Sequence, residues 1–446
     1  MTTRLRQERE KRGWKKLQLV VELESRAAVQ GISLATRSSL MRMLARWENT
    51  AKAVDSPYAE LFCEVYGLKP EDFGWQERGQ ATRIIDGERY ETSLATALVE
   101  LANLAGHDVA RSAGLFNAPY DPTSLTTAAL DWLFAGGQDD LTRTGSLVVA
   151  MADVLEIRQA TNTFDQLDRQ IGGEKSREVA ARFLRDRVVP RLRGTCTDAV
   201  RREMFAATAV LCEIIGWMAY DTGRQAAGQR YFVQALRMAE AAGDRALGSY
   251  ILTSLSDQAL YLRHPNEALR LARAASSQAG AAAVVLAEAA MFEARSHAQL
   301  GDIRATGEAL SRAEDLLTAA QSSDRPDWSS PFDEVVFSSH AGTCWVDLGD
   351  PGHASEHFEA VLERLRGQAR RQLYGTVQLA RIAVLGRDID HAAALGTKAL
   401  ETPGALQSVR SRRHVADLAA TLKPHATNVA AREFVERVRT ESPTTS

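Results

Sequence analysis

The sequence predicts an all-α protein, with a small N-terminal helical domain followed by a long array of helical hairpins. Three observations predict it. Apolar stripes at the helical period run from near the N-terminus to about residue 440 of the 446. Five separated stretches share one pattern of turn, small residue and apolar residue. The one candidate β-hairpin, "IIDGERY", stands among helix-period neighbours.

The chain is 45% hydrophobic and 25% charged, as ordinary globular proteins are. No apolar run approaches about 18 residues, so no membrane span is expected. The charged start "MTTRLRQEREKRGW" lacks an apolar signal core, which predicts a cytoplasmic protein. Cys63, Cys196, Cys212 and Cys344 lie far apart with no C-x-x-C pair. Free, mostly buried thiols are expected, with no zinc site and no disulfide framework. The formal charge is −3, but residues 1–50 hold eleven basic and five acidic side chains, a surplus of +6 that leaves −9 elsewhere. A basic end on an acidic body points to nucleic-acid contact at that end.

Residues 1–75 read as four or five short helices. The first covers roughly Arg4 to Lys11 and stops at Gly13. The second begins near Lys15, carries Leu17, Val20, Val21 and Leu23, and breaks at Gly31. The third is "RSSLMRMLARWEN", residues 37–49, entered through Ser33 or Thr36 as a cap. Wound as a helix, it sets Leu40, Met43, Leu44 and Trp47 in one sector. Ser38, Ser39, Arg42, Arg46 and Asn49 fall opposite, with no carboxylate among them, a face suited to an anion. In the fourth, Ser56 caps, Pro57 takes the first turn, and Tyr58, Leu61, Phe62 and Val65 form the stripe that Gly67 ends. Pro70 to Phe73 makes a last turn.

The order "LRQEREKRGW…LQLVVELE…RSSLMRMLARWEN…SPYAELFCEVYGLKPEDFGW" resembles the XRE (Cro/repressor-like) helix-turn-helix. That resemblance implies a third helix entering the major groove of double-stranded DNA. Arg42 would then contact guanine, with Ser38, Ser39 and Arg46 beside it, Arg37 on a base or a phosphate, and Lys16 on phosphate. Two features depart from the family: the helix-two start "WKKLQ", where Lys15 cannot cap, and the long segment "SRAAVQGISLAT".

Residues 76–142 read as a helical connector with loops at "NAPYDP" and "AGGQDD". Residues 143–171 read as one long helix ended by Gly172 and Gly173, with "EKSREVAARFLRDRVVPRL" as its partner. The five repeated stretches follow: "GRQAAGQRYFVQAL", "RHPNEALRLARAAS", "GDIRATGEALSRAE", "GDPGHASEHFEAVL" and "RDIDHAAALGTKAL". A small residue precedes each turn: Gly216, Ser256, Ala294, Gly342 and Ala380. Small residues let paired helices approach closely, and stacking buries what one pair cannot. The pattern resembles the tetratricopeptide repeat (TPR), which implies a TPR-like α-solenoid over residues 143–403. Two helices, within residues 404–440, would cap it, and 441–446 would be a disordered tail.

The whole chain is similar to the actinobacterial XRE-type regulators with a C-terminal TPR domain. Peptide-sensing RRNPP-type regulators share the architecture. In such a stack the first helix of each pair lines the concave side. That projection places Glu213, Trp217, Tyr220, Tyr250, Thr253, Asp257, Glu288, Arg295, Ser339, Thr343, Tyr374 and Arg381 in one groove. The groove would suit a peptide, small-molecule or protein effector. A homodimer on a two-fold related operator is expected.

Other motifs are weak. "GGEKS" at 172–176 lacks phosphate-loop spacing, and His353 and His357, although i, i+4, have no third ligand. No catalysis, metal or cofactor is expected. The expectation is a sequence-specific transcription regulator, and its rival is a TPR adaptor that sequesters a regulatory protein without binding an operator.

Overall fold

The structure is a computed structural model that describes residues 3–29, 34, 36–49, 54, 58–68, 70–73, 89–135, 147–171, 173–277, 282–320, 325–329, 332–365, 368–404, 406 and 408–441. It is all-helical. Among the described residues the β structure is one isolated parallel bridge, Val148 to Thr195. The chain divides into two units, Met1–Ile84 and Ile85–Ser446.

The small unit holds α1 (Arg4–Lys11), α2 (Lys16–Val29), α3 (Arg37–Trp47), α4 (Tyr58–Tyr66) and a 3-10 turn, Pro70–Phe73. Gly13 and Gly67 follow α1 and α4 at φ +66° and +64°, a left-handed backbone that ends a helix without a side-chain clash. Leu5, Leu19, Val20, Leu23, Leu40, Leu44, Leu61 and Phe62 form the core. Trp47 stands edge-on to Phe62, with ring centroids 5.7 Å apart. Thr36 does occupy the cap of α3, but its hydroxyl bonds to the Ser38 and Ser39 hydroxyls and caps no backbone N–H. Gly31, Ser33, Ser56 and Pro57 lie outside the described residues.

The large unit opens with α5 (Leu94–Val109), α6 (Ala113–Phe116) and α7 (Pro122–Phe134). The sequence marks this region as a connector; the structure packs it into the core instead. Leu98, Leu101, Leu125 and Trp132 are wholly buried. Trp132 lies so close to Gly248 that a Cβ there would sit 2.2 Å from its ring. Arg237 donates to the Glu91 and Thr92 carbonyls, and Arg245 to those of Trp132 and Ala135. The reason is chemical: α5 and α7 present apolar stripes that a linker would leave in water.

The helix expected over 143–171 starts later, as α8 (Met151–Ile171), because Val148 is taken up by its bridge to Thr195. Gly173 does not end it but opens the next helix, α9 (Gly173–Phe183). A π turn, Leu184–Val188, links α9 to α10 (Val189–Leu192), where Pro190 lacks the N–H that a regular ladder needs.

All five repeated turns join packed helix pairs. These are α11 (Asp198–Asp221) with α12 (Gln225–Ala242), α13 (Arg245–Tyr261) with α14 (Pro265–Ser276), and α15 (Ala283–Gln299) with α16 (Ile303–Ala320). Then come α17 (Glu334–Leu348) with α18 (Pro351–Leu362), and α19 (Ala369–Leu385) with α20 (Ile389–Leu400). The small residues do what their size suggests. A Cβ on Gly216 would stand 2.7 Å from the Phe232 ring, and one on Gly342 2.6 Å from Phe358. Ser256 Oγ donates to the Ala268 carbonyl at 2.9 Å. By length and composition α11 could cross a membrane, but 72% of its apolar window is buried in the unit.

The last helices, α21 (Val409–Leu422) and α22 (Val429–Glu441), cover α19 and α20 as a cap would. They also do more. α21 reaches back to α11, the start of the paired array, where Val409 packs on Gly223 and Ser408 Oγ donates to the Asp221 carbonyl.

Candidate functional site

Each unit carries one candidate site. In the small unit it is the outer face of α3. Leu40 and Leu44 point into the core, while Arg37, Ser38, Arg42, Arg46 and Asn49 are exposed and Ser39 is half-buried. Arg42 Nη2 donates to Ser39 Oγ at 3.3 Å, so the guanidinium is propped along the helix. Arg37 is not a loose cation: it donates to both oxygens of Glu24 on α2, which the sequence had not paired with it. Lys16 lies 3.6 Å from Glu48, so its charge is shared with an internal carboxylate rather than held wholly for phosphate. Glu48, from "RWEN", is 1% exposed. Arg9 grips it through Nε at 2.5 Å and Nη2 at 3.1 Å, and the Thr3 hydroxyl donates to its carbonyl. This buried pair ties α1 to the end of α3 and fixes the exposed face.

In the large unit the site is a cavity of about 840 Å³. It is lined chiefly by the first helices of the five pairs, with α8 and α21. Glu213, Trp217, Tyr220, Tyr250, Asp257, Arg295, Thr343, Tyr374 and Arg381 all line it, as do Thr253, Glu288 and Ser339. Every residue that the sequence sets on a concave groove therefore meets in one space.

That space is not an open groove, because α21 crosses it. Arg410, Arg413, His414 and Asp417 project into it from one face of that helix. Arg410 Nε is 3.1 Å from Asp221 Oδ1, and its guanidinium stacks over Tyr220 at 4.9 Å and Trp217 at 5.8 Å. Arg370 of α19 bonds to Asp221 Oδ2 at 2.9 Å and to Asp168 Oδ2 at 3.1 Å. The two ends of the array are thus clasped around Asp221. The sequence reading missed Arg370, Arg410, Arg413 and His414. The available signal was "RSRRHVAD", whose Arg410, Arg413, His414 and Asp417 share one helical face.

The charges sort by position. Arg295 pairs with Asp257 at 3.1 Å and approaches His340 Nδ1 at 3.3 Å. Arg381 pairs with Asp347 at 2.9 Å, and the Thr343 and Tyr374 hydroxyls bond at 2.8 Å. His414 stands between Tyr261 and Tyr374. Burial, then the nearby Arg410, push its pKa down to about 3, so the ring is neutral. Glu213 Oε1 accepts from Trp217 Nε1 and from Ser254 Oγ, and burial lifts its carboxyl to about 7. Burial, then the charges of Glu213 and Asp257, lift Glu288 to about 8.

The two histidines with metal-like spacing behave differently from each other. His353 is exposed, bonded to Asp350 Oδ2 at 2.7 Å and stacked on Trp345. His357 is half-buried beside Gly342. No group of three or more potential metal ligands occurs among the described residues.

No family model matches the chain, and no curated protein matches it.

Proposed function

We propose that this protein is a DNA-binding transcription regulator whose large unit binds an effector. In this reading the small unit is an XRE-type helix-turn-helix, and α3 is its recognition helix. The large unit is a TPR-like solenoid. The observation that carries the reading is the α3 face: two hydroxyls, two arginines and an asparagine on a helix whose opposite side is locked into the core. Arg42 makes the bidentate base contact, Ser38 and Arg46 flank it, and Arg37 acts through its pairing with Glu24 or on phosphate. A homodimer would set two such helices one duplex turn apart. The work belongs in the cytoplasm, consistent with four cysteines that are in no disulfide.

A cavity of about 840 Å³ crossed by a helix suits a compact effector better than an extended peptide or a folded protein. That favours a ligand-responsive regulator over a sequestering adaptor. The effector changes DNA affinity only to the extent that it prefers one state of the protein over another.

The test is selection of bound fragments from the source genome, followed by anisotropy titrations of the full chain. Affinity should fall steeply between about 50 and 200 mM salt. Arg42→Ala should relax base preference at one position by about 1–3 kcal/mol. If no fragment is enriched and retention is insensitive to Arg42, the reading is wrong.

A further inference from the structure

We propose that the cavity takes an organic cation, a protonated amine on an apolar body, seated between Glu213 and Glu288. This deepens the effector reading above and rests on it only for the consequence of binding, not for binding itself.

The argument is an accounting of charge around the cavity. Arg295, Arg370, Arg381 and Arg410 each hold an aspartate: Asp257, Asp168 with Asp221, Asp347, and Asp221 again. Those four arginines are neutralised from within; Arg371 and Arg413 also line the cavity, but beside the Gln368 amide and over the Tyr261 ring, on the side away from the two glutamates' own acidic surroundings. The two glutamates are different. Glu288 has no hydrogen-bond or ion-pair partner among the described residues, and Arg325, the cation whose charge bears on it, donates through Nη2 to the Phe332 carbonyl instead. Glu213 is 3% exposed. Its Oε1 takes both of its donors, Trp217 and Ser254, and Oε2 takes none among the described residues. Among the described residues the charged groups that bear on this pair are Asp165 from α8, Asp257 from α13 and Arg325, so the field there is negative.

Glu288 is half-buried with no donor and Glu213 is buried with donors on one oxygen alone, and two such carboxylates in mutual view are costly. A cation between them removes both penalties at once. The walls suit its body: Ile214, Trp217, Tyr250 and Phe292 line the same region. Aromatic faces add attraction to an ammonium group. In the empty cavity the glutamates share protons at neutral pH, and an arriving ammonium displaces them. Binding therefore releases protons, which a neutral ligand would not do.

Calorimetry on the full chain tests this with three probes of one shape: 2-phenylethylammonium, 2-phenylethanol and 3-phenylpropionate, with the butylammonium monocation and the cadaverine dication as further cations. The ammonium should bind at least tenfold more tightly than the alcohol, and the carboxylate should not compete with it. Titration at pH 7 in buffers of different ionisation enthalpy should report about one proton released per ammonium bound. Glu288→Gln should weaken the ammonium tenfold or more and leave the alcohol unchanged. Glu288 makes no hydrogen bond, so its variant should melt like the parent at pH 5, which controls for folding. Equal binding of ammonium and alcohol, no proton release, or failure of every cation at millimolar concentration overturns the proposal. Duplex binding by the same preparations separates the two readings. Cation binding without DNA binding overturns the regulator, and DNA binding without cation binding overturns only this inference.

Discussion

Removing the Asp221 carboxylate should unfasten the two ends of the large unit without unfolding its helix pairs. Asp221 is buried at the end of α11 and receives two guanidiniums, Arg370 at 2.9 Å and Arg410 at 3.1 Å. The Arg370 contact is a charge-assisted hydrogen bond, which contributes about 1.5–3 kcal/mol, and the Arg410 contact is an ion pair worth about 1 kcal/mol, so the two give a ceiling of about 4 kcal/mol. The arginines keep other partners, since Arg370 still has Asp168 and Arg410 still has Asp257 at 3.8 Å. Their side chains are also 25% and 29% exposed, so water meets part of the deficit. About 1–3 kcal/mol remains for Asp221→Ala. That corresponds to roughly five- to hundredfold more frequent opening of the clasp, at about 1.4 kcal/mol per factor of ten. Hydrogen exchange on the full chain reads it directly. Peptides from Val409–Leu422 should lose protection by such a factor, while α13 to α16 keep theirs. A double-mutant cycle with Arg410→Ala should give coupling of about 1 kcal/mol. Unchanged exchange in α21, or uniform loss of protection across all five helix pairs, would refute the idea that Asp221 joins two preformed ends.

Three further outcomes are expected. Glu288→Gln should stabilise the large unit increasingly between pH 5 and 8. The folded carboxyl is raised from 4.5 to about 8, so the parent loses stability as pH climbs from the unfolded value to the folded one. At about 1.36 kcal/mol per pH unit the ceiling is about 5 kcal/mol, and water in the cavity leaves about half. A melting-temperature gap that stays flat over that range would contradict it. Gly216→Ala should lower the denaturant midpoint, because overpacking Phe232 costs about 1–3 kcal/mol against about 1 gained in helix propensity. Adding Phe232→Leu should recover part of the loss. Glu48→Gln should leave the Arg9 guanidinium buried against a neutral amide, at a cost of about 3 kcal/mol. Amide exchange in Arg4–Lys11 should then rise by about a hundredfold, and protection of α1 equal to the parent's would show that the pair fastens nothing.

What the sequence made legible follows from the range of each interaction. The five helix pairs were readable because their signal is local. A small residue at 216 or 342 and an aromatic at 232 or 358 lie within one hairpin, and a turn separates them. The concave positions followed, since a helical period fixes which residues share a face. The failures were long-range. Nothing near Val148 announces Thr195, so the start of α8 was set too early. Nothing near Trp132 announces Gly248, so α7 passed for a connector. The clasp joins Asp221 to Arg370 and Arg410 across much of the unit. No periodicity encodes where an array's end comes back, and that return turns a groove into a cavity. The same limit hid the chemistry. Eight acidic and seven arginine side chains line the cavity, and from composition that set looks balanced. Only the pairing distances show that Arg295, Arg370, Arg381 and Arg410 are held by aspartates, while Glu213 and Glu288 have no cation partner among the described residues. A groove predicted to be mixed is therefore sorted by region, negative around Glu213 and Glu288 and cationic around His414.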